Sequence, residues 1–254
     1  DRFATAQRRA DRAADGAGGA HADQAGGAGG ATLGFGRRPL AAFFCLMSRG
    51  HKQGREIMYE VFGGVASRAF RVLWLLDEMG VEFVHHDLKA GSEEMKAVNP
   101  SGKVPALKVD GELITDSAAI MTFLADKHGQ FTYPAGTIER AKQDAWFHQI
   151  LDEVDAVLWT AARHSFILPE EQRVPAVKDS LKWEFARNIK RISERMEGPY
   201  LMGEEMTIAD MLLVHCLGWA ISAKFDLEDD RLNTYASQVR KREGFKAARG
   251  RLKL

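Results

Sequence analysis

The sequence predicts a small α/β domain followed by an all-helical domain. Three observations carry this reading. Strand and helix signals alternate over residues 57–131, strand signals vanish after Gly129, and the rest of the chain reads as long amphipathic or apolar helices. The order in the first part is β-α-β-α-β-β-α. A β-α-β start followed by a hairpin and a helix implies a mixed sheet with helices packed on it.

Each element has a local reason. Residues 57–62 form a short strand, and Gly63-Gly64 begins a turn. Phe70, Leu73 and Trp74 then fall at helical spacing, and Val72, Leu75, Leu76 and Met79 widen the apolar face. Ser67 is a natural N-cap for this helix and Gly80 a natural stop. A second strand is expected over 81–88 and a short helix over 92–97, ended by Asn99-Pro100. Ala106 to Val109 is a strand, Asp110-Gly111 a hairpin turn, and 112–115 the returning strand. Asp116-Ser117 opens a helix that runs to about His128. Residues 129–136, with Tyr133-Pro134, read as a linker. The second domain, 137–254, is expected to hold one long helix over 137–162, a second over 175–196, an apolar third over 207–220 and a basic last helix over 233–249. The third belongs at the centre of the bundle. Thr207 and Asp210 open it as a capping box with Asp in place of Glu, a folding feature and not a site.

Composition narrows the function classes. The 254 residues carry 35 Lys and Arg against 35 Asp and Glu, so no net basic charge draws the chain to nucleic acid or to an anionic membrane. Two cysteines, Cys45 and Cys216, exclude a disulfide framework and a Cys-rich zinc site, and fit a reducing, cytoplasmic compartment. No apolar run reaches the ~18 residues of a membrane span. Residues 1–56 hold roughly half of the 24 glycines and read as a disordered leader, with Met58, or else Met47, as the candidate true start. Arg37-Arg38 and the apolar residues after them lack the cleavage pattern of an export signal.

Pro105 poses the question that leads to function. Proline cannot donate to a strand ladder, yet Pro105 leads directly into a strand. It is either the first residue of an edge strand or a cis proline, a form taken by only about 5–6% of such bonds. The wider context decides. Asn99-Pro100-Ser101-Gly102-Lys103-Val104-Pro105-Ala106-Leu107, then Asp116-Ser117-Ala118-Ala119-Ile120, then Gly203 with Thr207-Ile208-Ala209-Asp210, resemble the cytosolic glutathione S-transferase family over about residues 58–254. The resemblance implies a thioredoxin-like N-terminal domain over 57–131. It also implies a cis bond at Pro105 that turns the N–H and C=O of Val104 toward a peptide-like ligand, glutathione, as co-substrate.

The resemblance also assigns roles. Asp116 and Ser117 would take the γ-glutamyl ammonium and carboxylate, because a helix N-terminus offers free N–H groups and a favourable dipole. Either residue would also cap the helix. Lys103 would meet the glycine carboxylate or lie solvated. Catalysis needs a thiolate, and a free thiol has a pKa near ~8.5. Ser67, four residues before Arg71 in a theta-like serine pattern, combines a hydroxyl donor with a helix start. Tyr59 is a rival donor that falls within the strand. Cysteine-using members would place their cysteine at or beside Ala66, which disfavours mixed-disulfide chemistry. Trp159, Arg163, His164 and Phe166 would lie over the electrophile pocket, whereas the residues alone read as packing for Trp159 and Phe166 and solvent for Arg163 and His164. His85 and His86 point to opposite faces of a strand and are not a metal pair. Cys216 reads as a core residue. The implied protein is a detoxification enzyme: a homodimeric glutathione transferase acting on a hydrophobic electrophile, without metal, nucleic acid or membrane. The rivals are a non-catalytic interaction module and a glutathione-dependent isomerase or disulfide reductase.

Overall fold

The structure is a computed structural model that describes residues 58–252; the leader expected over 1–56 lies outside the described residues. Four strands form one mixed sheet: β1 (Tyr59–Phe62), β2 (Val84–His86), β3 (Ala106–Val109) and β4 (Glu112–Thr115), in the order β2-β1-β3-β4. β1 pairs parallel with β2 and antiparallel with β3, and β3 pairs antiparallel with β4. The β3–β4 turn holds Asp110 at φ 52° and Gly111 at φ 94°, the left-handed pair that a two-residue hairpin requires. The second strand is shorter than the expected 81–88. Only Val84, His85 and His86 find partners on β1, because β1 itself is four residues long.

Helices α1 (Ala69–Met79), α2 (Glu93–Val98) and α3 (Ser117–His128) complete the first domain. α1 is buried continuously from Ala69 to Leu76, as expected of a helix lying between a sheet and a second helical layer. It stops at Gly80, whose φ of 64° lets its N–H and that of Val81 close on the last carbonyls. Its start corrects one expectation. The capping position is Arg68, which makes no side-chain cap bond. Ser67 stands one residue earlier, accepting the Ala69 N–H at 3.1 Å while its hydroxyl donates to the Gly64 carbonyl at 2.7 Å.

The second domain begins with a helical rod: α4 (Ile138–Ile150), a π-helical turn Leu151–Asp155, α5 (Ala156–Ala162) and a second π-helical turn Arg163–Ile167. The rod is longer than the expected 137–162 and is widened twice, the first time at Asp155. α6 (Val177–Arg195) and α7 (Ile208–Ser222) follow, and α7 opens with the expected Thr207–Asp210 capping box. Asp210 also accepts the Tyr235 hydroxyl and the Leu201 N–H, both at 2.8 Å.

The expected single last helix is two: α8 (Asp230–Val239) and α9 (Glu243–Gly250). The break comes from packing back onto the first domain. Arg242 is extended, and its guanidinium meets both oxygens of Glu78 on α1, Nε reaching Oε1 and Nη2 reaching Oε2. Phe245 then sets its ring edge-on against Phe70 and Trp74, at 5.1 and 5.0 Å between centroids. One apolar cluster accordingly runs through both domains, from Val61, Leu73 and Leu107 to Leu158, Phe185 and Leu213. Among the described residues no helix is long and apolar enough to cross a membrane.

Gly244 of α9 lies hard against Glu78 of α1. A Cβ there would lie 2.6 to 2.7 Å from the side chain and backbone N of Glu78. Gly244→Ala should therefore lower the unfolding free energy by about 1–3 kcal/mol, the usual cost of overpacking. Urea titration measures this, and an unchanged midpoint would mean that α9 is free to shift along α1.

Candidate functional site

The candidate site forms where three loops meet beside the sheet. The first, residues 63–68, links β1 to α1. Gly63 sits at φ 130°, and a Cβ there would lie 2.9 Å from the Val104 Cβ, so only glycine lets this loop touch the loop that carries Val104. β2 braces the first loop: the Gly63 N–H donates to the His86 carbonyl, and the His85 ring bonds the Gly63 carbonyl, both at 2.9 Å. His86 pairs instead with Glu60. The two histidines thus serve different partners.

The second loop is the Asn99–Pro105 stretch. Asn99 organises it: its amide donates to the Lys103 carbonyl at 2.9 Å, and its oxygen accepts the N–H and hydroxyl of Ser101. The Val104–Pro105 bond is cis. Among the described residues the N–H and C=O of Val104 take no hydrogen-bond partner, and Val104 is only partly buried. These are the free strand-like groups the resemblance implied. Pro105 is buried behind them, and the Lys103 side chain is exposed.

The third part is the start of α3. Asp116, at φ 72°, caps the helix with Oδ1, accepting the N–H groups of Ala118 and Ala119 at 2.8 and 3.1 Å. Its Oδ2 has no partner among the described residues, and the side chain is exposed, so the cap leaves an oxygen for a cation. Ser117 is buried, and its Oγ accepts Nη1 of Arg71 at 3.1 Å. With that acceptance made, the Ser117 hydroxyl keeps its own proton to give to an anion.

Arg71 leads to Asp155 and His215, which the sequence did not single out. It is 1% exposed and lies inside the apolar face of α1. Its guanidinium pairs with Asp155 from the first π-helical turn, donates Nε–H to Nδ1 of His215 at 3.1 Å, and reaches the Cys216 sulfur at 3.5 Å. Arg68 holds the other oxygen of Asp155 at 2.5 Å, and its guanidinium lies 4.9 and 5.0 Å from the rings of Trp159 and Trp219. Burial alone would raise the Asp155 carboxyl; the two arginines overcome this and pull it down to about 2. Burial, then the Arg71 charge, lower His215 well below its ordinary value and keep it neutral. The Cys216 thiol, pushed up to about 12 by burial, is a core residue and not a nucleophile. A faint signal existed: Arg71, Asp155 and His215 each interrupt an otherwise apolar helix stripe.

The rival donor Tyr59 is placed elsewhere. Its hydroxyl pairs with His128 at 3.0 Å, at the far end of α3. Twelve residues of helix, about 18 Å, separate that end from Ser117. Of the residues expected over the electrophile pocket, Trp159 borders Arg68, and Phe166, read as packing, is 65% exposed. Arg163 and His164, read as solvated, are partly buried.

Comparison with known proteins agrees with this architecture. The family described as "Glutathione S-transferase, N-terminal domain" matches residues 67–127. Glutathione S-transferase GstA of Escherichia coli O157:H7 is 32% identical over 154 residues, spanning 59% of this chain and 73% of the relative. Glutathione S-transferase 3 of Caenorhabditis elegans is 30% identical over 161 residues, spanning 60% and 75%. Among solved structures, a glutathione transferase from Methylococcus capsulatus superposes with a TM-score of 0.68 at 26% identity, covering 75% of this chain and 96% of that one. With a thioredoxin-like first domain, an all-helical second and relatives at this identity, the chain belongs to the glutathione S-transferase family.

Asp155 gives the network a measurable pH signature. A depressed carboxyl stabilises the folded chain fully above its unfolded value near ~3.9, and that stability is lost as pH falls through the folded value. The shift from 3.8 to about 2 corresponds to about 2 kcal/mol. Wild type should lose that much more stability between pH 5 and pH 2 than Asp155→Asn, read from urea midpoints at each pH. Parallel curves would show that the pair is not held as described.

Proposed function

We propose that the protein is a glutathione transferase that binds glutathione across the three loops, stabilises its thiolate and directs it at an electrophilic small molecule. The observation that carries this reading is the juxtaposition of the unpaired Val104 backbone with the α3 N-terminus. In it Val104 pairs with the cysteinyl part of the tripeptide, as an added strand would. The Ser117 hydroxyl and N–H meet the γ-glutamyl carboxylate, Asp116 Oδ2 meets the ammonium, and Lys103 reaches the glycine carboxylate. Pro105 backs the loop. Residues 57–131 act as the glutathione-binding domain, and 137–254 supply the wall of a hydrophobic electrophile pocket. The working unit is a two-fold dimer in the cytoplasm.

Ser67 is the thiolate donor in this reading. Its hydroxyl faces the Gly64 carbonyl, so it must turn from Gly64 to the sulfur when glutathione enters. The test is the thiol pKa of bound glutathione, followed by thiolate absorbance. It should be depressed below ~8.5 in wild type and return toward that value in Ser67→Ala. A variant that keeps the full depression would make Ser67 a structural residue only. Wild type that binds glutathione without depression would remove the transferase reading itself.

Binding has its own variant. Ser117→Ala leaves the helix cap in place but removes the hydroxyl proton offered to the carboxylate. Glutathione affinity should fall about tenfold, the worth of one hydrogen bond to a charged group, with the bound thiol pKa unchanged. Calorimetry showing wild-type affinity would place the carboxylate elsewhere.

A further inference from the structure

The charges at the domain interface do not balance. Arg68 and Arg71 share one carboxylate, Asp155. The other partners of Arg71 are neutral: the Ser117 hydroxyl, the unprotonated Nδ1 of His215 and the Cys216 thiol. The cluster therefore carries one net positive charge in a largely desolvated place. Arg71 is fully enclosed, so this charge can reach a ligand only through Arg68, whose side chain is 25% exposed. Two nitrogens of Arg68, Nε and Nη2, are held by Asp155. Among the described residues Nη1 has no partner, which leaves two N–H donors. Two indoles from the helical domain lie against it: Trp159 on α5 and Trp219 on α7, both partly buried. Arg68 is also the neighbour of Ser67, at the start of α1.

We infer that Arg68, Trp159 and Trp219 form a recognition site for a planar aromatic compound that carries an anionic group, such as a carboxylate. This deepens the proposed function by naming the class of second substrate. The physical case has two parts. A partly buried, uncompensated cation gains most from a ligand that brings the missing negative charge, because the low local dielectric strengthens the pair. Arginine offers its free edge as a fork suited to a carboxylate. The indoles give a flat ring an apolar surface and hold the guanidinium in one orientation. A neutral aromatic compound would use the indoles and leave the charge unpaired. An anion without a ring would use the charge and leave the indoles wet.

Calorimetry with unreactive probes tests this apart from turnover. Wild type, saturated with glutathione, should bind 4-nitrobenzoate about tenfold or more tightly than the neutral 4-nitrobenzamide, the worth of a charge-assisted hydrogen bond. Arg68→Met should abolish the preference, and Arg68→Lys, which keeps the charge without the fork, should retain part of it. No preference in wild type, or an undiminished one in a folded Arg68→Met, overturns the inference. Turnover of a neutral electrophile, 1-chloro-2,4-dinitrobenzene, reports separately on the transferase reading. If Arg68→Met instead raises the bound thiol pKa and leaves the probe preference intact, Arg68 serves the thiolate and the inference falls.

Discussion

The structure depends on one buried ion pair, Arg71 with Asp155. Arg71 sits inside the apolar face of α1, where an arginine is costly unless every donor is used. Its donors go to Asp155 of the first π-helical turn, to His215 and Cys216 of α7, and to Ser117 of α3. A single side chain thus ties together the strand-containing domain, the helical domain and the start of the helix proposed to hold a carboxylate. Removing one partner of such a pair strands a buried charge and typically costs about 3–5 kcal/mol. α1 can lie between two layers, buried along its first two turns, because this charge is met from both sides.

The same pair explains how the site is divided. Gly63, Val104, Asp116 and Ser117 all belong to the first domain, and the sheet and the Asn99 clip hold them in register. Trp159, Trp219 and Asp155 come from the second. Arg68, at the cap of α1, and Arg71, one turn further on, both meet Asp155, and Arg71 also meets Ser117 of the first set. A ligand on the first-domain side would therefore meet a surface whose charge is set by the second domain. The docking of α9 adds to this. Arg242 on Glu78, Arg251 on Asp77, and Phe245 against Phe70 and Trp74 hold α1 along its length, from its second residue to its last turn.

Much of this was legible in the residues. The β-α-β-α-β-β-α order, the Asp110-Gly111 hairpin, the Gly80 stop and the Thr207–Asp210 box are local signals, and each reappears in the fold. The Asn99–Leu107 and Asp116–Ile120 motifs led to the family and to loops that do meet in space. Ser67 shows the limit of local reading. A serine ahead of a helix reads as a cap, yet the chain takes an extra turn, with the Phe70 N–H on the Ser67 carbonyl, and moves the cap to Arg68. The last helix shows another. Its basic amphipathic pattern runs on through a single weak breaker, Gly244, and the division falls where Arg242 meets Glu78 and Phe245 packs against Trp74.

The sequence by itself determined most of the elements, the two-domain order, the cis proline through its motif, and the family. These rest on spacing, capping and turn chemistry between residues close in the chain. Only the tertiary structure decided that Arg71, Asp155, His215 and Ser117 form one group, that Tyr59 belongs to His128, and that Arg68 lies against both Trp159 and Trp219. The partners in these contacts lie from 46 positions apart, for Arg71 and Ser117, to 151, for Arg68 and Trp219. No local pattern encodes such a pairing. A polar residue in an apolar stripe announces that it must be satisfied, but which group satisfies it is settled only when the layers pack and exclude water.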